Sequence, residues 1–267
     1  MTPAPTDAHP PREIAQLVEQ IGVAKARMPA VPLLTLAVLA GAFISLGALF
    51  FLVVTSNTGL GFGVTRLIGG LAFSLGLVLV VVAGAELFTG NNLIAMAWAG
   101  GHVGTGAVLR NWLLVYAANV AGCLGTVGLA VMADTASLGG GAVGQTALAV
   151  AGAKAALPWP EAFARGVLCN ALVCLAVWLT LGGRSVTDKI LAILFPITAF
   201  VAMGFEHSIA NWFFLPYGWW LGGDTVVPPT AALVNLAVVT AGNVVGGTLL
   251  VAGVYWLAYL HSPRQDG

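Results

Sequence analysis

The sequence predicts an all-α integral membrane protein: six transmembrane helices in two inverted repeats, with the second and fifth helices broken. Composition, recurring apolar runs and a pair of repeated motifs carry that prediction. Of the 267 residues, 59% are hydrophobic and only 7% are charged, and the mean hydropathy is +0.96. A soluble domain carries about 25% charged residues. Apolar stretches of about 20 residues, enough to cross roughly 30 Å of hydrocarbon, recur at about Leu33 to Val54, Leu67 to Leu87, Asn111 to Ala133, Glu161 to Leu181, Ile190 to Phe214 and Ala231 to Leu260.

The repeat is read from two matches. NWLLVYAANVAG (Asn111 to Gly122) and NLAVVTAGNVVG (Asn235 to Gly246) share Asn, seven residues, Asn, two residues, Gly. ELFTGN (Glu86 to Asn91) and EHSIAN (Glu206 to Asn211) share Glu, four residues, Asn, at nearly the same offset. Three spans per half force the halves to enter the membrane in opposite senses, an architecture that runs a substrate path through the midplane at the repeat interface. Thr89, Gly90, Asn91 and Asn92 interrupt the second apolar run, and Pro196, Gly204, Glu206, His207 and Ser208 interrupt the fifth. Backbone that leaves the helix at that depth is tolerated only where protein or a water-filled cavity satisfies it. One site between the two breaks is therefore expected.

The first 30 residues hold Arg12, Glu13, Glu19, Lys25 and Arg27 and no apolar signal core, so the first span is expected to direct insertion. Segment 12–25 is expected to lie as a weak helix along the cytoplasmic surface. With a cytoplasmic N-terminus, Arg12, Lys25, Arg27, Arg110, Arg184, Lys189 and Arg264 fall inside and Arg66, Lys154 and Arg165 outside, the bias expected of a multi-pass protein with both termini in the cytoplasm. The domain reading is a cytoplasmic segment 1–30, a pore domain 31–260 with halves at about 31–133 and 161–260, and a cytoplasmic tail 261–267. SLGGGAVGQ around Gly139 and GWWLGGDTVVPP from Gly218 to Pro229 read as extramembrane loops, and Trp212, Trp219 and Trp220 as interfacial aromatics.

Zero formal net charge removes the electrostatic case for nucleic acid. Cys123, Cys169 and Cys174 lie in spans without a CxxC pair and read as buried small hydrophobes; no cofactor or metal is expected. Of His9, His102, His207 and His261 only His207 falls in a span, so a nucleophile with its base is not available and enzymatic catalysis is not expected. Glu206 and His207 side by side at membrane depth cost roughly 2.5–3.5 kcal/mol per ionisable group even on a lenient insertion scale, which marks a functional site. An aquaporin would carry two Asn-Pro-Ala caps; this chain has TGN and IAN instead.

GLAFSLGLVLVVVAGAELFTGNNL (Gly70 to Leu93), RGVLCNALVCLAVWL (Arg165 to Leu179), GRSVTDKILAILFPITAFVAMGFEHSIAN (Gly183 to Asn211) and VTAGNVVGG (Val239 to Gly247) together resemble the formate/nitrite transporter family, over about Ala30 to Leu260. The resemblance implies an aquaporin-like protomer, assembled as a homopentamer in a bacterial inner membrane, each protomer passing small monovalent anions such as formate or nitrite and the central hole plugged by membrane lipid. It places the central histidine on His207, its facing threonine on Thr89, the vestibule lysine on Lys154, and the asparagine and glutamate behind the histidine on Asn170 and Glu206. It places the apolar constrictions on Phe73, Leu77, Leu87, Phe88, Val173 and Phe200. Asn91, Asn119, Asn211 and Asn243 are expected to support the broken backbones. Another weak acid such as hydrosulfide on the same scaffold is the alternative cargo.

Elementary chemistry gives these positions roles. A histidine at the midplane is expected to stay neutral until an anion arrives and then to share a proton with it. A lysine at the mouth concentrates anions. A ring of Phe, Leu and Val cannot solvate a charge, so it favours a neutral acid or an anion protonated on the way, and it gates by dewetting.

Overall fold

A computed structural model describes residues 8–261; Arg264 and most of the expected tail, 262–267, lie outside them, as do residues 1–7. The described residues form helices joined by turns and short extended segments, with no strand among them. In chain order the helices are α1 (Pro11–Ala26), α2 (Ala30–Thr55), α3 (Phe62–Gly84), α4 (residues 88–99), α5 (Thr105–Met132), α6 (Ala142–Ala155), α7 (Trp159–Gly182), α8 (Val186–Ala202), α9 (Ser208–Gly222) and α10 (Pro229–Tyr259). Five of them, α2, α3, α5, α7 and α10, are long and apolar enough to cross a membrane.

The expected fifth span, 190–214, is not one helix but α8 and α9 on either side of residues 203–207. Likewise α3 ends in a π-helical turn, Leu79–Gly84, and α4 starts only at Phe88. The interruptions are therefore shorter than the polar residues suggest. Thr89 to Asn92 and Ser208 are already helical, and Pro196 sits inside a continuous α8. The polar side chains cluster at the starts of α4 and α9 because that is where a helix leaves N–H groups unpaired.

Two loop expectations are corrected. SLGGGAVGQ is a loop only as far as Gly141; Gly139, Gly140 and Gly141 all take positive φ, a left-handed run open to glycine, and α6 then carries Lys154. Gly218 to Gly222 of the second expected loop belong to α9, where a Cβ on Gly218 would stand 2.1 Å from that of Ala151. Trp219 and Trp220 are exposed as an interfacial pair requires, but Trp212 is half-buried and donates its indole N–H to the Tyr116 hydroxyl at 2.9 Å.

Lipid offers no hydrophobic drive between helices, so close approach of small residues replaces it. A Cβ on Gly122 of α5 would lie 2.0 Å from the Val38 carbonyl of α2, and one on Gly246 of α10 would lie 2.1 Å from the Val167 carbonyl of α7. The two contacts are repeat-related. α1 does not lie free along a surface: Ile14, Ala15 and Val18 are buried against Leu93, Met96, Trp178 and Val251.

Gly122→Val and Gly246→Val are each expected to cost at least the roughly 1–3 kcal/mol typical of overpacking, because the obstacle is backbone and cannot turn aside. Gly125→Val, which meets nothing within 4 Å inside the protomer, is the matched control. Thermal melting in detergent checks this: the first two variants melt well below wild type and the control does not.

Candidate functional site

Two interrupted segments meet at the centre, and the same hydrogen bonds hold each. Gly84 and Gly204 leave α3 and α8 with φ of +87° and +73°, a conformation glycine adopts without strain. Extended residues follow. The Glu86 N–H donates to the Leu36 carbonyl at 3.2 Å and the Glu206 N–H to the Arg165 carbonyl at 3.3 Å. Asn119 accepts from the Phe88 N–H at 2.9 Å and donates to the carbonyls of Ala37 and Glu86 at 2.7 and 2.9 Å. Asn243 accepts from the Ser208 N–H at 2.8 Å and donates to the carbonyls of Gly166 and Glu206 at 2.8 and 2.9 Å. One side-chain amide per repeat thus satisfies three backbone groups that hydrocarbon could not.

A charged cluster is also duplicated. Lys25 Nζ sits 2.6 Å from Glu86 Oε1; Asn91 Nδ2 donates to Glu86 Oε2 and Asn111 Oδ1 at 2.8 and 3.0 Å, and Asn111 Nδ2 returns to the Lys25 carbonyl at 3.0 Å. Lys154 Nζ sits 2.9 and 3.0 Å from the two Glu206 oxygens; Asn211 Nδ2 donates to Glu206 Oε2 and Asn235 Oδ1 at 2.7 and 2.8 Å, and Asn235 Nδ2 returns to the Lys154 carbonyl at 3.0 Å. Lys154 is therefore not a free cation at a mouth, as the sequence suggested, but a mostly buried ion-pair partner 5.4 Å over the Phe214 ring. Glu206 faces Lys154 and Asn211 rather than backing the histidine.

Sequence reading missed Lys25, Asn111 and Asn235 as members of these clusters. The two asparagines open the N-x7-N-x2-G motif, which was the available signal. Lys25 and Lys154 stand at a different offset from the motif pairs, so no sequence repeat connects them.

His207 and Thr89 lie between the clusters, both buried. His207 is the N-cap of α9: its Nδ1 accepts from the Ala210 N–H at 3.1 Å. A backbone N–H can only donate, so Nδ1 carries no hydrogen and the proton of the neutral ring sits on Nε2. That Nε2 lies 3.0 Å from Thr89 Oγ1, donates to it, and leaves the threonine O–H as the donor presented to a third group. Asn170 stands behind Thr89 rather than behind His207: its Nδ2 donates to Asn92 Oδ1 and to the Asn243 carbonyl at 2.7 Å each, and the Thr89 carbonyl lies 3.3 Å from it. The Cys174 thiol adds a contact to the Thr89 carbonyl at 3.4 Å, and Cys123 reaches the Gly41 and Ile209 carbonyls.

Apolar residues pack beside this pair. Phe73 and Phe200 meet edge-on, centroids 5.6 Å apart, and Phe200 stacks over the His207 ring at 6.0 Å. Leu77, Leu87 and Val173 are buried in the same apolar cluster. Phe88 belongs to it too, but its ring packs edge-on against Tyr116 and Trp112.

A cavity of about 350 Å³ runs up to Phe73, Phe200 and His207 and is lined also by Arg66, Lys154, Arg165, Glu206 and Phe214. At the Lys25 end the corresponding space is about 30 Å³, bounded by Leu93, Ile94, Val177 and Leu181 and covered by Val18, Ile21 and Gly22 of α1. The arrangement sets aromatic rings beside a hydroxyl donor that is backed by an imidazole.

Comparison with known proteins agrees with this fold. The formate/nitrite transporter family model matches residues 12–257. The formate channel FocA of Escherichia coli strain K12 is 39% identical, with 96% of each chain covered, and the probable formate transporter of Methanothermobacter thermautotrophicus is 37% identical over 94% of this chain and 97% of its own. A solved pentameric formate channel with formate bound superposes with a TM-score of 0.80 at 40% identity, covering 87% of this chain and 98% of that one. A second solved chain, described as an ion channel of the same family, gives a TM-score of 0.84 at 27% identity over 94% and 99%. A match along nearly the whole chain, by sequence and by fold, means that the protein belongs to the formate/nitrite transporter family.

Proposed function

We propose that each protomer forms one pore for small monovalent anions or their weak acids, formate first and nitrite second, and is not an enzyme. The observation that carries this reading is the Thr89 to His207 hydrogen bond at the junction of two interrupted helices, walled by Phe73 and Phe200. A relative named as a formate channel at 39% identity supports the choice of formate. An anion entering from the wide cavity sheds water against the rings, a step a bare charge resists and a protonated acid does not. At the centre it accepts the Thr89 O–H, which in turn accepts the His207 Nε2–H. Proton assistance then consists of sharing that Nε2 proton through Thr89. A second proton on the ring would have to go to Nδ1, where the Ala210 N–H already points.

The remaining assignments follow the same reading: segment 31–260 as the pore domain, a homopentamer like the solved relative described as pentameric, lipid filling its central hole, and a bacterial inner membrane with both termini in the cytoplasm. Arg27 and Arg110 reach backbone carbonyls at the Lys25 end, whereas Arg66, Lys154 and Arg165 line the wide cavity. The positive-inside bias makes the first end cytoplasmic.

Formate uptake into proteoliposomes tests the central pair. His207→Phe removes both the helix cap and the donor to Thr89 and is expected to reduce acid-driven formate uptake at least tenfold. His207→Asn supplies a cap oxygen, which asparagine does well, and an amide donor, but no titratable ring; it is expected to keep the acid dependence. An assembled Asn variant whose uptake no longer responds to pH would show that ring protonation is required and sink the shared-proton reading.

Lys154 tests the buried pair. Lys154→Gln leaves Glu206 buried and unpaired, a loss of about 3–5 kcal/mol for pairs of this kind, while Lys154→Gln with Glu206→Gln together removes both charges. The double variant is expected to melt above the single one; equal or lower melting would mean that the pair is not coupled.

A further inference from the structure

Repeat-related positions match in the frame of the site but not in the charge around it. The Glu86 N–H and the Glu206 N–H make equivalent bonds, yet their acceptors are the carbonyls of Leu36 and Arg165. At the offset that relates Glu86 to Glu206, Arg66 corresponds to Val186. Both arginines are thus additions to the wide end only. A Cβ on Gly204 would lie 3.4 Å from Arg66 Nη2 and 3.9 Å from Arg165 Nη1, whereas one on Gly84, its repeat mate, meets nothing within 4 Å. The two guanidinium nitrogens are therefore no farther apart than the sum of those distances, about 7.3 Å, with open cavity beside them.

Arg66 donates through Nε to the Ala202 carbonyl at 3.1 Å and through Nη2 to the Val201 carbonyl, at the C-terminal, electronegative end of α8. That fixes the side chain and uses two of its five donors. Among the described residues no carboxylate lies within ion-pair distance of Arg66. Arg165 pairs with Glu161 at 3.2 Å at the surface, and Lys154 pairs with Glu206. Arg66 is left without an ion pair in a cavity where Lys154 already engages the one lining carboxylate, Glu206, and Arg165 lies beside it.

We propose that Arg66 and Arg165 form a second oxyanion site over Gly204, outside the Phe73 and Phe200 ring, which binds a planar anion through two acceptor oxygens and makes the pore sided. Two charge-assisted hydrogen bonds of about 2.8 Å plus the oxygen-to-oxygen span of one carboxylate bridge such a gap. Glycine at 204 leaves the bridging anion room that any side chain would fill. The site rests on the reading of the cavity as the anion access path, and it loads that path with an anion before dehydration begins. An anion with two charges binds there more tightly than formate and is stopped by the apolar ring, so it acts as a plug from the wide end alone.

Oxalate is the probe. In a planar bilayer, formate current is recorded with oxalate added to one chamber and then to the other, and protein melting is followed with and without oxalate. Half-block is expected at a concentration at least tenfold lower from one side than from the other. Arg165→Gln, at a half-buried position, and Arg66→Gln are each expected to raise the lower concentration at least tenfold, every variant referenced to its own uninhibited current. Oxalate is expected to raise the melting temperature of the wild type and not that of Arg165→Gln. Formate current with equal block from both sides, or with wild-type oxalate affinity in Arg165→Gln, overturns the site and leaves the formate pore intact. No formate current, with oxalate-dependent melting that Arg165→Gln abolishes, upholds the site and overturns formate as cargo.

Discussion

The structure depends on how broken backbone is satisfied at a depth where water cannot do it. Two helix pairs stop and restart in the middle of the protein, exposing the N–H groups of Phe88 and Ser208 and the carbonyls of Glu86 and Glu206. Each set is closed by one asparagine, Asn119 or Asn243, which accepts one bond and donates two. An aliphatic residue in their place would leave those groups unpaired in a medium that charges several kcal/mol for each. Because the amides lie on α5 and α10, the interruptions are anchored to helices of membrane-spanning length.

Around that constraint the two repeats share a frame and differ in contents. The Lys-Glu-Asn-Asn cluster appears at both ends with nearly the same distances, so burying a charged pair is tolerated twice by the same network. The chemistry sits where the repeats diverge. His207 corresponds to Leu87, Thr89 to Ile209, and Asn170 to Gly41, so the polar pair at the centre takes one member from each half. A symmetric arrangement would have doubled the histidine or lost the threonine.

The same divergence makes the ends unequal. One opens to a cavity lined by three basic side chains; the other is nearly filled and covered by α1. Between them the Phe200 ring stacks against the imidazole and meets Phe73 edge-on. An apolar ring beside a single hydroxyl donor suits a solute small enough to need only one polar partner.

Much of this was legible in the residues. The apolar runs gave the all-helical membrane fold, the two motif pairs gave the repeat, and Glu206, His207, Asn119 and Asn243 stood out because polar groups in apolar runs are too costly to be incidental. Composition and local pattern report what a segment cannot avoid, namely where it must be buried and where it must break. They do not report which groups meet. That Lys154 is neutralised by Glu206, that Asn170 holds Thr89, that Lys25 on α1 mirrors Lys154, and that α6 is a helix rather than a loop all follow from packing between elements far apart in the chain. The state of His207 is the clearest case: its identity was evident from the sequence, but which nitrogen carries the proton was decided only by the Ala210 N–H, which the fold of α9 places against Nδ1.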